Sequence, residues 1–257
     1  NTGIELSLNA DAIRTKDFDW NISLNLAHNE NEVTRLSNDV FTMDKILLGD
    51  VFIRGGSSSG THVLEEGRPI GQFYGLVCNG IDENGRYIMV DKDGDGEISD
   101  PADYDYIGSA QPKLTYGITN TFRYKNFDLS FFLRGTIGND ILNATRMAYA
   151  QSGFLPGTNA LDDPLTYTLS ETPRFSNYYL EKGSFMRLDN LTLGYKIKAL
   201  NGIRVYFTAQ NLFVITKYKG LDPEVPMDSG DGLTPGVEPR EFYPKARTFS
   251  VGLNLNF

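Results

Sequence analysis

Residues 18–26 alternate without a break between apolar and polar side chains: Phe18-Asp19-Trp20-Asn21-Ile22-Ser23-Leu24-Asn25-Leu26. Successive side chains of a β-strand point to opposite faces of a sheet, so this pattern predicts a strand with one apolar and one polar face. The run extends to about residue 29, roughly twice the ordinary strand length of ~5–6 residues. That length suits a tilted strand crossing a bilayer core, which needs ~9–11 residues.

Six further runs repeat this alternation. Together the seven predict strands at about 3–14, 18–29, 113–124, 127–138, 184–197, 203–214 and 245–257. Tight turns join three pairs of strands at residues 15–17, 125–126 and 199–202, whereas the connections at 31–112, 138–183 and 214–244 are long. Short turns at one rim and long loops at the other are typical of outer-membrane β-barrels. Aromatic residues gather at the short-turn rim, as an interfacial girdle would: Phe18, Trp20, Tyr124, Phe127, Tyr195 and Phe257.

The composition excludes several other classes of protein. The 257 residues are 40% hydrophobic and 12% aromatic, which is too apolar for a disordered chain. A net charge of −9 without a basic cluster argues against a nucleic-acid partner. The lone cysteine, Cys78, cannot form an internal disulfide. No apolar run approaches the ~18 residues of a membrane-spanning helix.

These observations predict an all-β fold, an antiparallel transmembrane β-barrel segment with long extracellular loops. Seven strands alone would leave two open sheet edges in lipid, where backbone groups must be paired, and bacterial barrels have even strand counts. The chain also lacks an initiator methionine and a signal peptide. Residues 1–257 are therefore expected to be the C-terminal portion of a larger barrel. A soluble β-sandwich is the alternative, but it would contain structureless connections of dozens of residues.

Several motifs follow one another along nearly the whole chain. They are Glu66-Gly67-Arg68-Pro69-Ile70-Gly71-Gln72-Phe73-Tyr74-Gly75, Ile107-Gly108-Ser109-Ala110-Gln111-Pro112-Lys113, Phe185-Met186-Arg187-Leu188-Asp189-Asn190-Leu191, Asn211-Leu212-Phe213 and Lys217-Tyr218-Lys219-Gly220-Leu221-Asp222-Pro223-Glu224. In order and spacing they resemble the C-terminal part of the SusC/RagA-like family of TonB-dependent outer-membrane transporters.

The resemblance implies a barrel of 22 strands closed by an N-terminal plug, of which this chain would supply the last seven strands. It implies import of a glycan, oligosaccharide or peptide across the outer membrane of a Gram-negative cell, and no enzymatic activity. The implied partners are a SusD-like surface lipoprotein, the lipid bilayer and TonB. TonB would act through an N-terminal region, with the plug, that this chain does not contain.

An acidic segment within the first long loop carries a candidate calcium site. Residues 61–112 hold eleven acidic and three basic residues. Asp91, Asp93 and Asp95 stand at alternate positions before Gly96, which matches the first half of an EF-hand loop, and such oxygen ligands suit Ca²⁺. The twelfth position is Ala102 instead of an acid, which leaves the closing ligand open, and a solvated acidic turn is the alternative. The candidate ligands of this structural Ca²⁺ are Asp91, Asp93, Asp95, Glu97, Asp100 and Asp103.

Aromatic residues of the long loops are candidates for stacking on substrate or packing beneath a lipoprotein. They are Phe73, Tyr74, Tyr87, Tyr104, Tyr106, Tyr149, Tyr178, Tyr179 and Tyr218. An equally good interpretation is that these rings pack the loops against one another. On the strands, the residues predicted to face the lumen or plug are Arg123, Arg134, Arg204, Gln210, Asn254 and Asn256.

Catalytic interpretations find little support. Residues 56–60 match the G-x-S-x-G pattern but lack its strand and helix, and His28 and His62 are expected at the surface. One rival function is a soluble or surface-exposed β-sandwich that binds carbohydrate with calcium support. Another is a calcium-dependent glycosidase built on paired acids of the acidic segment.

Overall fold

The computed structural model describes residues 1–40, 42–56, 58–200, 203–225, 232–240 and 243–255. Predictions that concern Ser57, the turn residues Asn201 and Gly202, and Asn256 and Phe257 lie outside the described residues.

In chain order the strands are β1 (Thr2–Arg14), β2 (Phe18–Glu30), β3 (Lys45–Leu48), β4 (His62–Glu65), β5 (Gln72–Gly75), β6 (Cys78–Ile81), β7 (Tyr87–Met89), β8 (Asp105–Ser109), β9 (Leu114–Tyr124), β10 (Phe127–Ile137), β11 (Asp140–Leu142), β12 (Leu180–Lys182), β13 (Phe185–Ile197), β14 (Ile203–Thr216) and β15 (Thr248–Asn254). Two short helices are α1 (Ala144–Tyr149) and α2 (Pro164–Thr168).

The fold is all-β and is dominated by one antiparallel sheet. Its strand order is β1-β2-β9-β10-β13-β14-β15, so strands that follow one another among the long strands are also neighbours in space. Two predicted details are wrong. Among the described residues the last strand begins at Thr248 instead of residue 245, and the turn predicted at 199–202 begins earlier, with a 3-10 turn at Lys198–Leu200. No helix of the described residues is both long and apolar enough to cross a membrane.

The register aligns the apolar side chains of all seven strands on one face. Leu24 lies opposite Leu8 on one side and Ile118 on the other, and Ile118 lies opposite Leu133. Pairing continues in this way to the last strand, where Val251 is 76% exposed. Within the described part of the chain, no second sheet buries this apolar face.

Three local features depart from simple alternation. One is a β-bulge at Asp189, which shifts the pairing of β13 with both β10 and β14. A β-bulge between Asp11 and Ile13 takes Ala12 out of register and sets Ile13 opposite Trp20. Asn120 lies among the apolar residues of β9, where it is buried and its Oδ1 accepts a hydrogen bond of 3.0 Å from the Trp20 indole. The hydrogen bond compensates a polar group that would otherwise be costly to bury.

The long connections are folded, including the long loop predicted at 31–112. That region contains a four-stranded sheet, β3-β4-β5-β8, and the β6-β7 hairpin. It shares a hydrophobic core with the second connection, 138–184, through residues such as Phe73, Tyr104, Phe175 and Tyr179. We call this unit the loop domain. Its strands of three to five residues are too short for alternation to reveal.

We predict that Gly85→Ala destabilises the loop domain more than Gly67→Ala. Both glycines have φ +79°, so a side chain at either position costs about 1–2 kcal/mol in backbone strain. At Gly85 a Cβ would also collide with the Thr168 carbonyl oxygen of the second connection, whereas Gly67 has open space. Thermal unfolding followed by the near-ultraviolet circular dichroism of the tyrosines measures the difference. Equal shifts in midpoint would contradict the close packing of the two connections.

Candidate functional site

The polar face of the large sheet is organised by hydrogen bonds between neighbouring strands. The Ser7 hydroxyl donates to Asn25 Oδ1 over 2.8 Å, and the Thr192 and Thr208 hydroxyls lie 3.3 Å apart. Ion pairs also belong to this face, since Arg204 Nε donates to Asp128 over 2.9 Å. The predicted lumen-facing residues among the described ones lie on this face: Arg123, Arg134, Arg204, Gln210 and Asn254.

A cavity of about 690 Å³ lies where this polar face meets the third long connection. Its lining includes Asn25 of β2, Phe132 and Arg134 of β10, and Pro223 and Glu224 of the connection. The cavity therefore combines neutral polar, aromatic and charged groups in one place, as ligand sites commonly do.

A buried arginine anchors the third connection to the sheet. Arg187 of β13 is 1% exposed, and its guanidinium pairs with Asp222 at 2.5 Å. The same guanidinium donates to Asn211, whose own amide donates to the Lys245 carbonyl at 2.6 Å. Asn211 adopts a positive φ of 51°, where asparagine is among the better tolerated residues. These contacts join β13, β14 and both ends of the third connection.

Glu224 extends this network into the cavity wall. It accepts two hydrogen bonds from Arg134, of 2.6 and 3.0 Å, and it also pairs with Lys245. Burial raises the pKa of the Glu224 carboxyl, but the pairing with Arg134 and Lys245 outweighs it and holds the pKa below its usual value. Asp189 pairs with Arg134 from the other side at 3.0 Å. The cavity wall is therefore a fixed, charge-compensated surface.

The structure brings three of the candidate calcium ligands together. One carboxylate oxygen of each of Asp91, Asp93 and Asp95 lies within 4.8 Å of the other two. The Asp91 carboxylate also accepts the backbone N–H groups of Gly94 and Gly96, at 2.6 and 2.9 Å, which holds the turn in shape. Both glycines have positive φ, of 78° and 89°, which a side chain would disfavour.

The other three candidates do not join this cluster. Asp100 pairs with Arg174 at 2.6 Å and accepts the Tyr104 hydroxyl at 3.0 Å. Asp103 is buried and accepts backbone N–H groups of Ser99 and Lys92, which lower the pKa of its carboxyl. Glu97 is exposed and contributes its backbone N–H to Asp95. Asp100 and Asp103 therefore stabilise the segment around the turn and do not contribute to the cluster.

The candidate aromatic residues divide by burial. Phe73, Tyr74, Tyr104 and Tyr179 belong to the core of the loop domain, and Tyr218 lies in a second buried cluster. Tyr87, Tyr106, Tyr149 and Tyr178 are partly exposed. The Tyr87 and Tyr179 hydroxyls lie 2.5 Å apart, and burial raises the pKa of Tyr87 to about 12. Packing of the loops against one another therefore accounts for the position of the five buried rings.

Two features of the site differ from what the sequence predicts. His62 is fully buried, not at the surface: its Nδ1 lies 2.9 Å from the Thr61 hydroxyl and its Nε2 lies 2.9 Å from the Pro235 carbonyl oxygen. The Arg187–Asp222 pair was missed because its partners are 35 residues apart in the chain. A buried arginine needs a carboxylate partner, but the alternation of apolar and polar residues along a strand does not identify which carboxylate that is.

No family model matches the chain. Individual relatives do. The chain is 37% identical over 276 residues to the TonB-dependent receptor SusC of Bacteroides thetaiotaomicron, a match that covers 100% of this chain and 26% of SusC. It is 32% identical over 303 residues to a TonB-dependent receptor of Formosa agariphila, covering 100% of this chain and 28% of that receptor.

Solved structures give the same result. A structure of the RagAB peptide transporter, and one of the RagAB peptide importer in the "closed-closed" state, each match with a TM-score of 0.75 at 26% identity. The matches cover 98% of this chain and 28% and 29% of those chains.

The fold and these relatives define an all-β chain of the TonB-dependent receptor class. Within that class the chain is SusC/RagA-like, which confirms the resemblance indicated by the motifs. It spans a little over a quarter of the length of the relatives it matches, 26% and 28%. The relatives are named as receptors and transporters, not as enzymes.

We predict that Asp222→Asn lowers stability far more than Asp189→Asn. Loss of Asp222 leaves the buried Arg187 guanidinium without its closest carboxylate, which costs about 3 kcal/mol or more. Loss of Asp189 leaves Arg134 paired with Glu224 and should cost less than about 1 kcal/mol. The denaturant midpoint of each variant measures the cost. Similar midpoints for the two variants would mean that Arg187 does not anchor the connection.

Proposed function

We propose that this chain forms part of the barrel wall of a TonB-dependent outer-membrane importer of glycans, oligosaccharides or peptides. The observation that carries the proposal is the uncovered apolar face of the seven-stranded sheet, on which Leu253 is 62% exposed. A continuous apolar face of this size is costly in water and favourable against hydrocarbon. The SusC and RagAB matches support the same interpretation.

The two edges of the sheet support a larger barrel. Within the described residues, β1 and β15 each pair on one side only. An unpaired edge is not viable in lipid, so the proposal requires further strands on both sides, as in a barrel of 22 strands. The polar face would then line the lumen and meet a plug, and the cavity beside Arg134 and Glu224 would lie on the transport route. The β-sandwich alternative would require a facing sheet, and the described residues contain none in that position.

The partners and substrate follow from the same family. A SusD-like lipoprotein would cover the long-connection side, and TonB would act through a region outside this chain. Two structural relatives bear the description of a peptide transporter or importer. Among the candidate aromatic residues, the partly exposed ones keep a ring surface for substrate or partner: Tyr87, Tyr106, Tyr149 and Tyr178.

We further propose that the Asp91–Asp95 turn binds a structural Ca²⁺. Three carboxylates converge there, and the Ile98 side chain that follows packs against the core of the loop domain. Crowded carboxylates repel one another unless a cation screens them. A bound ion would connect the turn rigidly to the domain. Its role would be structural, because none of these acids lines the cavity.

We predict that the two faces of β2 respond oppositely to arginine. Leu24 is at the centre of the strand on the apolar face, and Ser23 beside it is on the polar face. In a bilayer, Leu24→Arg should cost about 2–4 kcal/mol, whereas Ser23→Arg should cost less than about 1 kcal/mol. Urea unfolding of the full-length protein in lipid vesicles measures both. Equal costs at positions 23 and 24 would refute the assignment of the apolar face to lipid.

We also predict that calcium binding depends on the clustered acids. Calorimetric titration with CaCl₂ should give a Kd of about 10⁻⁴–10⁻³ M, as in extracellular calcium modules. The double variant D91N/D93N should bind at least about tenfold more weakly because it removes two of the ligands. E83Q, which removes an exposed acid of the same connection outside the cluster, is the control. Unchanged binding by D91N/D93N would exclude this turn as the site.

A further inference from the structure

Each of the three short turns presents an exposed lysine at the same rim of the sheet. Lys16 lies between β1 and β2, Lys125 between β9 and β10, and Lys198 between β13 and β14. None of the three has an ion-pair partner among the described residues. The arginines of this rim are different, because each of them is paired with a nearby acid: Arg14 with Asp11, Arg123 with Asp19 and Arg204 with Asp128. Together with the exposed Lys196 at the end of β13, which also has no ion-pair partner among the described residues, these lysines carry the positive charge of the rim that no ion pair compensates.

The three turns lie side by side. The Lys125 backbone N–H donates to the Asp17 carbonyl oxygen of the first turn over 2.8 Å. The Lys196 N–H donates to the Asn126 carbonyl oxygen of the second turn over 2.9 Å. Neighbouring hairpins are two strand spacings apart, or about 10 Å. Along this row the only acid among the described turn residues is Asp17.

A row of aromatic rings lies directly beside the lysines on the apolar face. Phe18, Tyr124, Phe127 and Tyr195 occupy opposed positions on the four adjacent strands β2, β9, β10 and β13. Tyr124 and Phe127 are 51% and 50% exposed, and the Phe127 and Tyr195 ring centres are 4.6 Å apart. We call these four residues the ring row.

One lysine shows how the two features combine. The Lys125 ammonium lies 5.3 Å from the centre of the Tyr124 ring, so this cation is held at the border of the apolar face. Aromatic rings at such a border are typical of the interface between hydrocarbon and headgroups. The opposite end of the sheet is the acidic one, because residues 61–112 hold eleven acids and three bases. An anionic partner would therefore favour the turn rim.

We propose that the turn rim binds anionic phospholipids, with headgroup phosphates on Lys16, Lys125 and Lys198 and acyl chains against the ring row. The proposal rests on the proposed function, because it requires hydrocarbon against the apolar face. Lysines close to an anionic lipid surface attract it measurably, and their contributions add up over several residues. The surface would select lipids by headgroup charge at the short-turn side of the membrane.

Native mass spectrometry of the full-length protein in detergent tests this proposal. The protein is titrated with phosphatidylglycerol and with phosphatidylethanolamine of identical acyl chains, and apparent Kd values are compared. We expect several-fold tighter binding of phosphatidylglycerol. The variant K16Q/K125Q/K198Q should reduce that preference by about fivefold or more. The control K113Q/K217Q/K219Q removes three exposed lysines from the other end of the strands and should retain it.

The possible results separate this proposal from the proposed function. A protein that binds both lipids equally, or whose preference survives K16Q/K125Q/K198Q, overturns the lysine surface and leaves the importer intact. A protein that stays monomeric without detergent and binds neither lipid contradicts the importer itself. A soluble glycerophosphoglycerol headgroup is the last probe. If this headgroup binds as tightly as phosphatidylglycerol, the ring row contributes nothing and its role is overturned. If the headgroup fails to compete with phosphatidylglycerol, the role of the ring row is supported.

Discussion

Continuous antiparallel pairing in one register is the constraint on which the rest of the structure depends. Because side chains alternate along each strand, a shift of one residue between two neighbours would exchange their faces. Across the seven strands no such exchange occurs, because the bulges at Asp11/Ile13 and at Asp189 each restore the apolar face after one irregular residue. The same register places Ser7 against Asn25 and Thr192 against Thr208, so the polar face is also assembled by it.

The long connections depend on a different kind of interaction. The first and second connections share a hydrophobic core, whereas the third is joined to the sheet by ion pairs, of which Arg187–Asp222 is the most deeply buried. A buried pair of this kind is weak evidence for stability but strongly disfavours alternative arrangements that would leave a charge unpaired. The third connection is consequently held at one position over the cavity, with Glu224 in the wall. The cavity owes its shape to that position.

Much of the large sheet can be predicted from sequence, because a strand of 11 to 14 residues shows its alternation clearly, as β2 and β10 do. The turn at Asp91, Asp93 and Asp95 can also be predicted, since its geometry is set by residues adjacent in the chain. Contacts between distant residues cannot. Asp100, a candidate ligand by its position in the turn, instead pairs with Arg174, which is distant in the chain. His62 is buried, and its Nε2 lies against the Pro235 carbonyl oxygen of the third connection. The strands β3–β8 are too short to carry a periodic signal.

The hydrogen bond between Trp20 and Asn120 has a practical consequence. Trp20 is the only tryptophan of the chain, and its indole N–H is satisfied by a protein group on the apolar face. It stacks on Phe122 of the neighbouring strand, with ring centres 5.6 Å apart. Its fluorescence therefore reports on the docking of β2 against β9. The emission of this one residue can therefore follow how the β1-β2 and β9-β10 hairpins join, without any added label.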